Sequence, residues 1–129
     1  MGKKYFYWRY WGIFISKDPR VSAIMPIQNP IIGIGYSGHG AVLNEPTYDD
    51  EIAIGCLPAG LYTITSTDNE KGPLTHHLTP DPQNNMKSRS GFLNHGDNTA
   101  ANHTASDGCI VSPYWTRSIF KVGDQFQVI

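Results

Sequence analysis

The stretch that decides the fold is Leu57-Pro58-Ala59-Gly60-Leu61-Tyr62-Thr63-Ile64-Thr65, a turn that leads directly into a strand. Proline and glycine mark the turn, and the five residues after it include the aromatic and β-branched types that favour extended backbone. Turn-forming residues are frequent throughout the chain, because 13 of the 129 residues are glycine and nine are proline. This composition predicts many turns and short strands rather than long helices.

Further strands are predicted on both sides of this segment from apolar and β-branched runs bounded by turn residues. They cover residues 5–16, 73–79, 91–95 and 125–129, with short extended pieces in 21–35 and a glycine- and asparagine-rich loop in 36–46. Residues 113–121 begin with proline and have the apolar spacing of a short helix. The expected fold is a single mainly-β domain over residues 1–129 with one short C-terminal helix.

The charge balance and the hydropathy argue against several classes of function. The formal net charge is −1, which gives no electrostatic reason to expect nucleic acid or an anionic membrane as a partner. No segment approaches the roughly 20 apolar residues of a membrane span. The N-terminal lysines are followed by aromatic residues and Arg9 rather than by an apolar core and a cleavage site. We therefore expect synthesis in the cytoplasm without a signal peptide.

The segment with the most chemical content is Ser106-Asp107-Gly108-Cys109-Ile110, in which Cys109 lies 14 residues after His95. A thiol is a weak nucleophile until a base or a positive field lowers its pKa from about 8.5. His95 stands at the end of a predicted strand and is the candidate base, which would later return the proton to a leaving amine.

The neighbours of this pair have candidate roles as well. Either the Gly96 carbonyl or the Asp97 carboxylate would orient the imidazole ring of the histidine. The amides of Gly108 and of the cysteine would face a developing oxyanion. The Ser106 hydroxyl would hold the loop.

Structural roles for the same residues are the alternative. A lone cysteine is more often a small buried hydrophobe than a nucleophile, and a histidine at a strand end is often structural. Cys56, in a turn before a strand, fits such a buried role, and we expect it to form no disulfide with Cys109. From the residues alone, the protein is a candidate thiol enzyme of unknown substrate.

Several other residues are candidates for binding or catalysis. His103 is a second candidate base, although its Asn and Thr neighbours favour an exposed loop. Arg89, and with less support Arg117, would bind a substrate carboxylate in bidentate fashion. Tyr36 and Ser37 would line a groove, and Asp97 would bind a substrate amine.

Two further kinds of site are weighed and rejected. A metal site from the histidines, Asp97 and Cys109 lacks any recognised ligand spacing, and His76 and His77 are adjacent on a predicted strand and point to opposite faces. Residues 33–38 match the glycine spacing of a dinucleotide-binding loop but lack the following helix. We expect no cofactor and no metal.

The histidine and cysteine motifs together resemble those of L,D-transpeptidase catalytic domains of the YkuD type. The pattern is His95-Gly96, then Ser106, then Gly108-Cys109 before an apolar residue. Further segments are similar to the type VI secretion L,D-transpeptidase effector family, in order and at comparable spacing. These segments are 35–38, 44–46, 57–64, 78–82 and 89–92.

This resemblance implies a β-sandwich or barrel and an enzyme that acts on peptidoglycan stem tetrapeptides. Cys109 would form a thioester, His95 would be the base, and the Gly96 carbonyl would be the third member. Ser106 and Gly108 would shape the oxyanion turn. Water would complete an L,D-carboxypeptidase reaction, and a D-amino acid or a second stem would complete a transpeptidation.

The resemblance also implies a secreted antibacterial toxin that acts in the periplasm, with a secretion apparatus and a cognate immunity protein as partners. A prophage or lysis-linked role fits the same sequence. One departure is Asp107, which stands where many of these enzymes have histidine. A non-catalytic peptidoglycan-binding module, and a thiol amidase or endopeptidase that cuts elsewhere in the stem, are the competing interpretations.

Overall fold

The strands form one nine-stranded sheet in the order β3-β2-β1-β9-β5-β6-β7-β8-β4. The computed structural model describes residues 2–18, 31–39, 43–50, 55–97 and 108–129. The strands are β1 Lys4–Trp8, β2 Ile13–Ile15, β3 Ile31–Ile34, β4 Tyr36–Ser37, β5 Gly60–Asp68, β6 Thr75–Pro80, β7 Leu93–His95, β8 Ile110–Val111 and β9 Gln125–Val128. A 3-10 turn covers Pro46–Tyr48 and a short helix, α1, covers Tyr114–Arg117.

The sheet nearly closes into a barrel because its two edge strands are neighbours along the chain. β3 and β4 lie at opposite ends of the strand order, yet only Gly35 separates them. Most pairings are antiparallel, whereas β1 with β9 and β7 with β8 are parallel. The mainly-β, barrel-like fold with one short helix is therefore confirmed.

The interior of the sheet is filled by aromatic and aliphatic side chains. Phe14, Phe120 and Phe126 form a cluster with ring centroids 4.7–5.3 Å apart. Ile64 and Ile110 are fully buried in the same core. Each such side chain contributes about 1.5–3 kcal/mol by leaving water, so this core holds the strands that carry the site.

Most of the predicted strands are confirmed, and the predicted loop over residues 36–46 is wrong at its start. Residues 36–37 form strand β4, which pairs with β8 through Tyr36–Val111 and Ser37–Ile110. A two-residue strand between glycines has no periodicity of its own, and its partner is remote in sequence. Residues 19–30, where further extended pieces were predicted, lie outside the described residues.

The predicted helix is present but shorter than residues 113–121. It begins after Pro113 and ends at Arg117. The next two hydrogen bonds, from Ile119 to Thr116 and from Phe120 to Arg117, span three residues rather than four. This tightening brings Phe120 into the core and ends the helix. Within the described residues, no helix has the length and apolarity to cross a membrane.

Candidate active site

The β7–β8–β4 end of the sheet, which we call the site end, carries the predicted nucleophile and base. Across these strands His95 pairs with Val111, which pairs with Tyr36, so the three side chains lie on one face. The intervening row of Asn94, Ile110 and Ser37 faces the other way and is fully buried. The parallel pairing of β7 and β8 thus brings together two segments that are distant in sequence.

Cys109 lies immediately before β8, opposite Leu93. The Leu93 N–H group donates to Cys109 Sγ at 3.3 Å, and the Gly91 carbonyl lies 3.9 Å from the same sulfur. Leu93 is two residues before His95, so the thiol lies beside the strand that ends in the imidazole. Cys109 is half-buried, whereas Cys56 is fully buried, and no disulfide joins the two, as predicted.

The His95 ring is held in one orientation by its neighbour. Nδ1 lies 2.7 Å from the Gly96 carbonyl oxygen, which can only accept, so Nδ1 carries the proton and Nε2 has the lone pair. Burial lowers the pKa of His95 below its ordinary value of 6.5, the positive charges of Lys71 and Arg117 lower it further, and the Gly96 carbonyl and Asp97 oppose them. His95 is therefore a neutral imidazole at pH 7, the form that accepts a proton.

Gly108 occupies a position that no other residue fits. Its φ is +118°, and a Cβ atom there would lie 2.2 Å from Arg89 Nη2 and 2.9 Å from the Phe92 ring. Ser37 Oγ donates to the Gly108 carbonyl at 2.8 Å and accepts from the Leu57 N–H group at 3.0 Å. The turn before Cys109 is thus fixed from two sides.

Arg89 lies inside the protein, where its guanidinium donates to backbone carbonyls. Nη1 bonds the carbonyls of Asp49 and Cys56, and Nη2 bonds that of Gly55 at 2.9 Å. The same group stacks over Phe92, 5.1 Å from the ring centroid. This placement fits support of the Gly108 turn better than the predicted contact with a substrate carboxylate.

Arg117 supports the base in a similar way. Its guanidinium donates to the Ser112 carbonyl and to the Pro73 carbonyl, and a Cβ atom on Gly96 would lie 3.0 Å from its Nη1. A glycine after His95 therefore leaves room for this buried cation. Its predicted role, binding of a substrate carboxylate, would require its guanidinium to release these carbonyls.

A cleft of about 350 Å³ opens at the seam where β3 and β4 meet, and its lining includes Val111, the strand partner of His95. Its walls are mostly apolar, and the Tyr36 hydroxyl donates to Asp97 Oδ1 at 2.8 Å at its edge. The lining residues are Ile34, Gly35, Tyr36, Leu43, Asn44, Asp97, Val111, Ser112 and Pro113. Sequence reasoning identified Tyr36 and Asp97 but missed most of the others, since they come from four separate segments without a local motif.

The remaining predicted residues are distributed as follows. Ser106, Asp107 and His103 lie outside the described residues. Ser37 is fully buried and bonded to Gly108, which fits positioning of the turn better than a substrate contact. Residues 33–38 run from β3 into β4, and no helix of a dinucleotide-binding unit follows among the described residues.

The adjacent histidines of β6 point to opposite faces, as predicted. His76 is buried between Thr67 and the Arg117 carbonyl, whereas His77 is half-exposed and bonds Asp68 at 2.8 Å. Asp68, Glu70 and His77 are the one group of described residues whose ligand atoms lie close enough to hold a metal ion. None of the three belongs to the site end.

Comparison with known proteins gives one match. The family model described as Tlde1 domain matches residues 33–117, which include the whole site end and the cleft. Neither the curated proteins nor the solved structures contain a match.

Proposed function

Because the chain belongs to the Tlde1 domain family of L,D-transpeptidase-like type VI secretion effectors, whose activity is directed at peptidoglycan, we propose that it is a cysteine enzyme of stem tetrapeptides. The reaction is removal of the terminal D-alanine, or its exchange for another D-amino acid, through a thioester on Cys109. The observation that carries this proposal is the pairing of β7 with β8. It brings Cys109, the residue before β8, beside the strand that ends in His95, whose Nδ1 lies 2.7 Å from the Gly96 carbonyl oxygen.

In the first half-reaction, His95 Nε2 accepts the thiol proton and Cys109 Sγ attacks the carbonyl carbon before the terminal D-alanine. The carbonyl oxygen becomes an oxyanion, which the amides of the Gly108–Cys109 turn would stabilise. When the C–N bond breaks, His95 gives its proton to the leaving amine and the thioester remains. Support for these roles comes from the fixed Gly108 turn and the neutral, oriented imidazole.

In the second half-reaction, water or an amine attacks the thioester carbon and transfers a proton to His95. The C–S bond breaks, and the cysteine thiolate leaves and takes that proton back. Water yields the tripeptide, whereas an amine yields a new peptide bond. Ser106 is proposed to hold the loop before the turn.

The test is digestion of purified sacculi, with the muropeptides separated and identified by mass spectrometry. Wild-type protein is expected to convert tetrapeptides into tripeptides, and Cys109→Ala is expected to lower the rate by about 10³-fold or more, as loss of a nucleophile does. Cys56→Ala is the matched control, because it removes the other cysteine and leaves the proposed nucleophile in place. Full activity of Cys109→Ala would contradict the proposal.

Two further variants assign the base, since His95→Ala is expected to abolish turnover and His103→Ala is not. Loss of turnover in the His103 variant alone would exclude His95 as the base. The mass of the released fragment identifies an amidase or endopeptidase that cuts elsewhere in the stem. Muropeptide binding without turnover would indicate a binding module instead.

We also propose that the enzyme acts in the periplasm of a target bacterium and that a cognate immunity protein neutralises it. The support is membership of a secreted effector family. Expression in a bacterium with an added export signal is expected to lyse the cells, whereas expression without it, or with Cys109→Ala, is not. Equal toxicity of the two Cys109 forms would contradict an enzymatic mode of killing.

A further inference from the structure

The tip of the β5–β6 hairpin, residues 69–74, lies next to the end of β7 that carries His95. β6 pairs with β7 through His76–Asn94. Continued by one position, this antiparallel register places Thr75, the first residue of β6, opposite His95. Residues in such positions have Cβ atoms about 4.5–5.5 Å apart. The residues of the tip that contact Thr75 are therefore close to the candidate base.

Two sets of hydrogen bonds hold the hairpin tip in place. The Thr75 hydroxyl accepts from the Lys71 N–H group at 3.0 Å and donates to the carbonyl of the next residue at 2.8 Å. The Arg117 guanidinium, which lies against Gly96, donates to the Pro73 carbonyl at 3.0 Å. The backbone of Lys71 is thus fixed a short distance from the segment that contains the candidate base.

Lys71 is the exposed cation of this region. The positive charges of Lys71 and Arg117 both lower the pKa of His95, so both lie near the ring. Arg117 is buried, and its guanidinium is occupied by backbone carbonyls. The Lys71 side chain is exposed and forms no ion pair with any of the residues that the structure describes. Its ammonium group is therefore available to a ligand that contacts His95.

The proposed reaction brings a carboxylate to this place. When the C–N bond of the stem breaks, His95 gives its proton to the nitrogen of the terminal D-alanine, so this residue contacts the ring. One carbon atom joins that nitrogen to the carboxylate of the D-alanine. The lysine ammonium is a compact charge on a flexible four-carbon stem. Lys71 thus has the charge, the reach and the position for the carboxylate that Arg89 and Arg117 were predicted to bind.

We propose that Lys71 binds the terminal carboxylate of the stem tetrapeptide and that the hairpin tip selects donors with a free C-terminus. This inference rests on the proposed function and adds to it the residue that recognises the leaving D-alanine. The ion pair holds the leaving residue with its nitrogen at His95, where the proton is delivered. Lys71 itself transfers no proton and makes no covalent bond.

The test compares two purified donors, the disaccharide tetrapeptide and the same compound with a carboxamide in place of the terminal carboxylate. All other carboxylates are the same in both, so the ratio of kcat/KM for the acid to kcat/KM for the amide reports this group alone. Wild-type protein is expected to give a ratio of about five or more, and Lys71→Gln a ratio below about two. Lys121→Gln, which removes an exposed lysine that follows α1, is the matched control and should keep the wild-type ratio.

Two further measurements separate binding of the carboxylate from a general effect on the base. Loss of the Lys71 charge should raise the pKa of His95 and move the acid limb of the kcat/KM profile to higher pH, equally for both donors, so this shift cancels in the ratio. Lys71→Arg keeps the charge and should restore most of the ratio. The dissociation constants of the two donors for Cys109→Ala, measured by calorimetry without turnover, should show the same preference for the acid.

Each outcome bears on one of the two proposals. A wild-type ratio near one, an unchanged ratio in Lys71→Gln, or an equal loss with both donors would overturn the carboxylate site, while tripeptide formation would leave the proposed function intact. If wild-type protein forms no tripeptide from the acid donor, the proposed function fails. The binding preference of Cys109→Ala then still decides whether Lys71 recognises the carboxylate, and equal affinity for the two donors would exclude it.

Discussion

The β5–β6 hairpin and the site end are held together by different means. In the hairpin, strands of nine and six residues pair over six positions, so the ladder itself fixes the geometry. At the site end, β8 makes two paired positions with β7 and two with β4. So few paired positions do not by themselves fix the turn before Cys109 or the His95 ring, and other contacts are needed.

Buried side chains supply the missing support at the site end. Next to the Gly108 turn, Arg89 donates hydrogen bonds to three backbone carbonyls, those of residues 49, 55 and 56. Next to Gly96, Arg117 donates to the carbonyls of Ser112 and Pro73. Hydrogen bonds from a buried charged group are about twice as strong as those between neutral groups. The turn before Cys109 and the segment after His95 are therefore positioned mainly by two buried arginines, and less by strand pairing.

Arg89→Met should give the largest effect, because it removes the cation and leaves buried carbonyls without donors. We expect the free energy of unfolding to fall by about 3 kcal/mol or more, since each orphaned buried group costs about 1–3 kcal/mol. Tetrapeptide turnover by the folded fraction should fall as well. Urea denaturation measures the first effect and the muropeptide assay the second. A loss below 1 kcal/mol would mean that Arg89 is not what holds the turn.

Acidification should destabilise the fold where the two regions meet, because it puts a positive charge on His76 of β6, which is buried between Thr67 and the Arg117 carbonyl. Burial lowers the pKa of His76 and of His95 in the folded protein below 6.5. Between about pH 6.5 and the folded-state pKa values, the unfolded chain therefore binds more protons than the folded protein. The stabilisation from the two histidines is complete above about pH 6.5 and is lost as the pH falls through the folded-state pKa values.

The measurement is the urea midpoint at pH 7.5, 6.0 and 5.0. Each histidine contributes a slope of at most about 1.4 kcal/mol per pH unit in this window. His76→Gln keeps an N–H donor but cannot titrate, so its stability should depend less on pH than that of the wild type. An equal pH dependence in the two proteins would exclude His76 as the titrating group.

Ile64→Val in the hairpin should give the smallest effect and should leave the chemistry unchanged. The side chain is fully buried in the core, and removal of one methylene group costs about 0.5–1.5 kcal/mol. Because the ladder of β5 and β6 fixes the strand without it, kcat/KM for the tetrapeptide should stay within twofold of wild type. A tenfold loss of activity would show that the hairpin and the site end are coupled more tightly than their contacts indicate.

The same contrast explains what the sequence could predict. The hairpin was predictable because β5 contains a run of aromatic and β-branched residues after a proline–glycine turn. Strands β4 and β8 have two residues each and depend on partners far along the chain, so no local pattern marks them. Cys109, His95 and Gly96 were identifiable from their chemistry and motif spacing, and the structure adds the parallel pairing of β7 and β8 that brings their two segments together.

The arginines show the limit of such reasoning most clearly. An arginine in a polar segment predicts either a solvated side chain or a ligand for a carboxylate. In the structure both Arg89 and Arg117 are buried and bond backbone carbonyls of residues 5–44 positions away. Only the folded chain brings those acceptors together.

Formation of a thioester on Cys109 is the central claim, and acid quenching during turnover tests it most directly. Intact-protein mass spectrometry of the quenched reaction should show an adduct with the mass of the tetrapeptide acyl group minus its terminal D-alanine. Peptide mapping should place the adduct on Cys109 and not on Cys56, and hydroxylamine should remove it. An adduct on another residue, or product formation at full rate by Cys109→Ala, would contradict the claim.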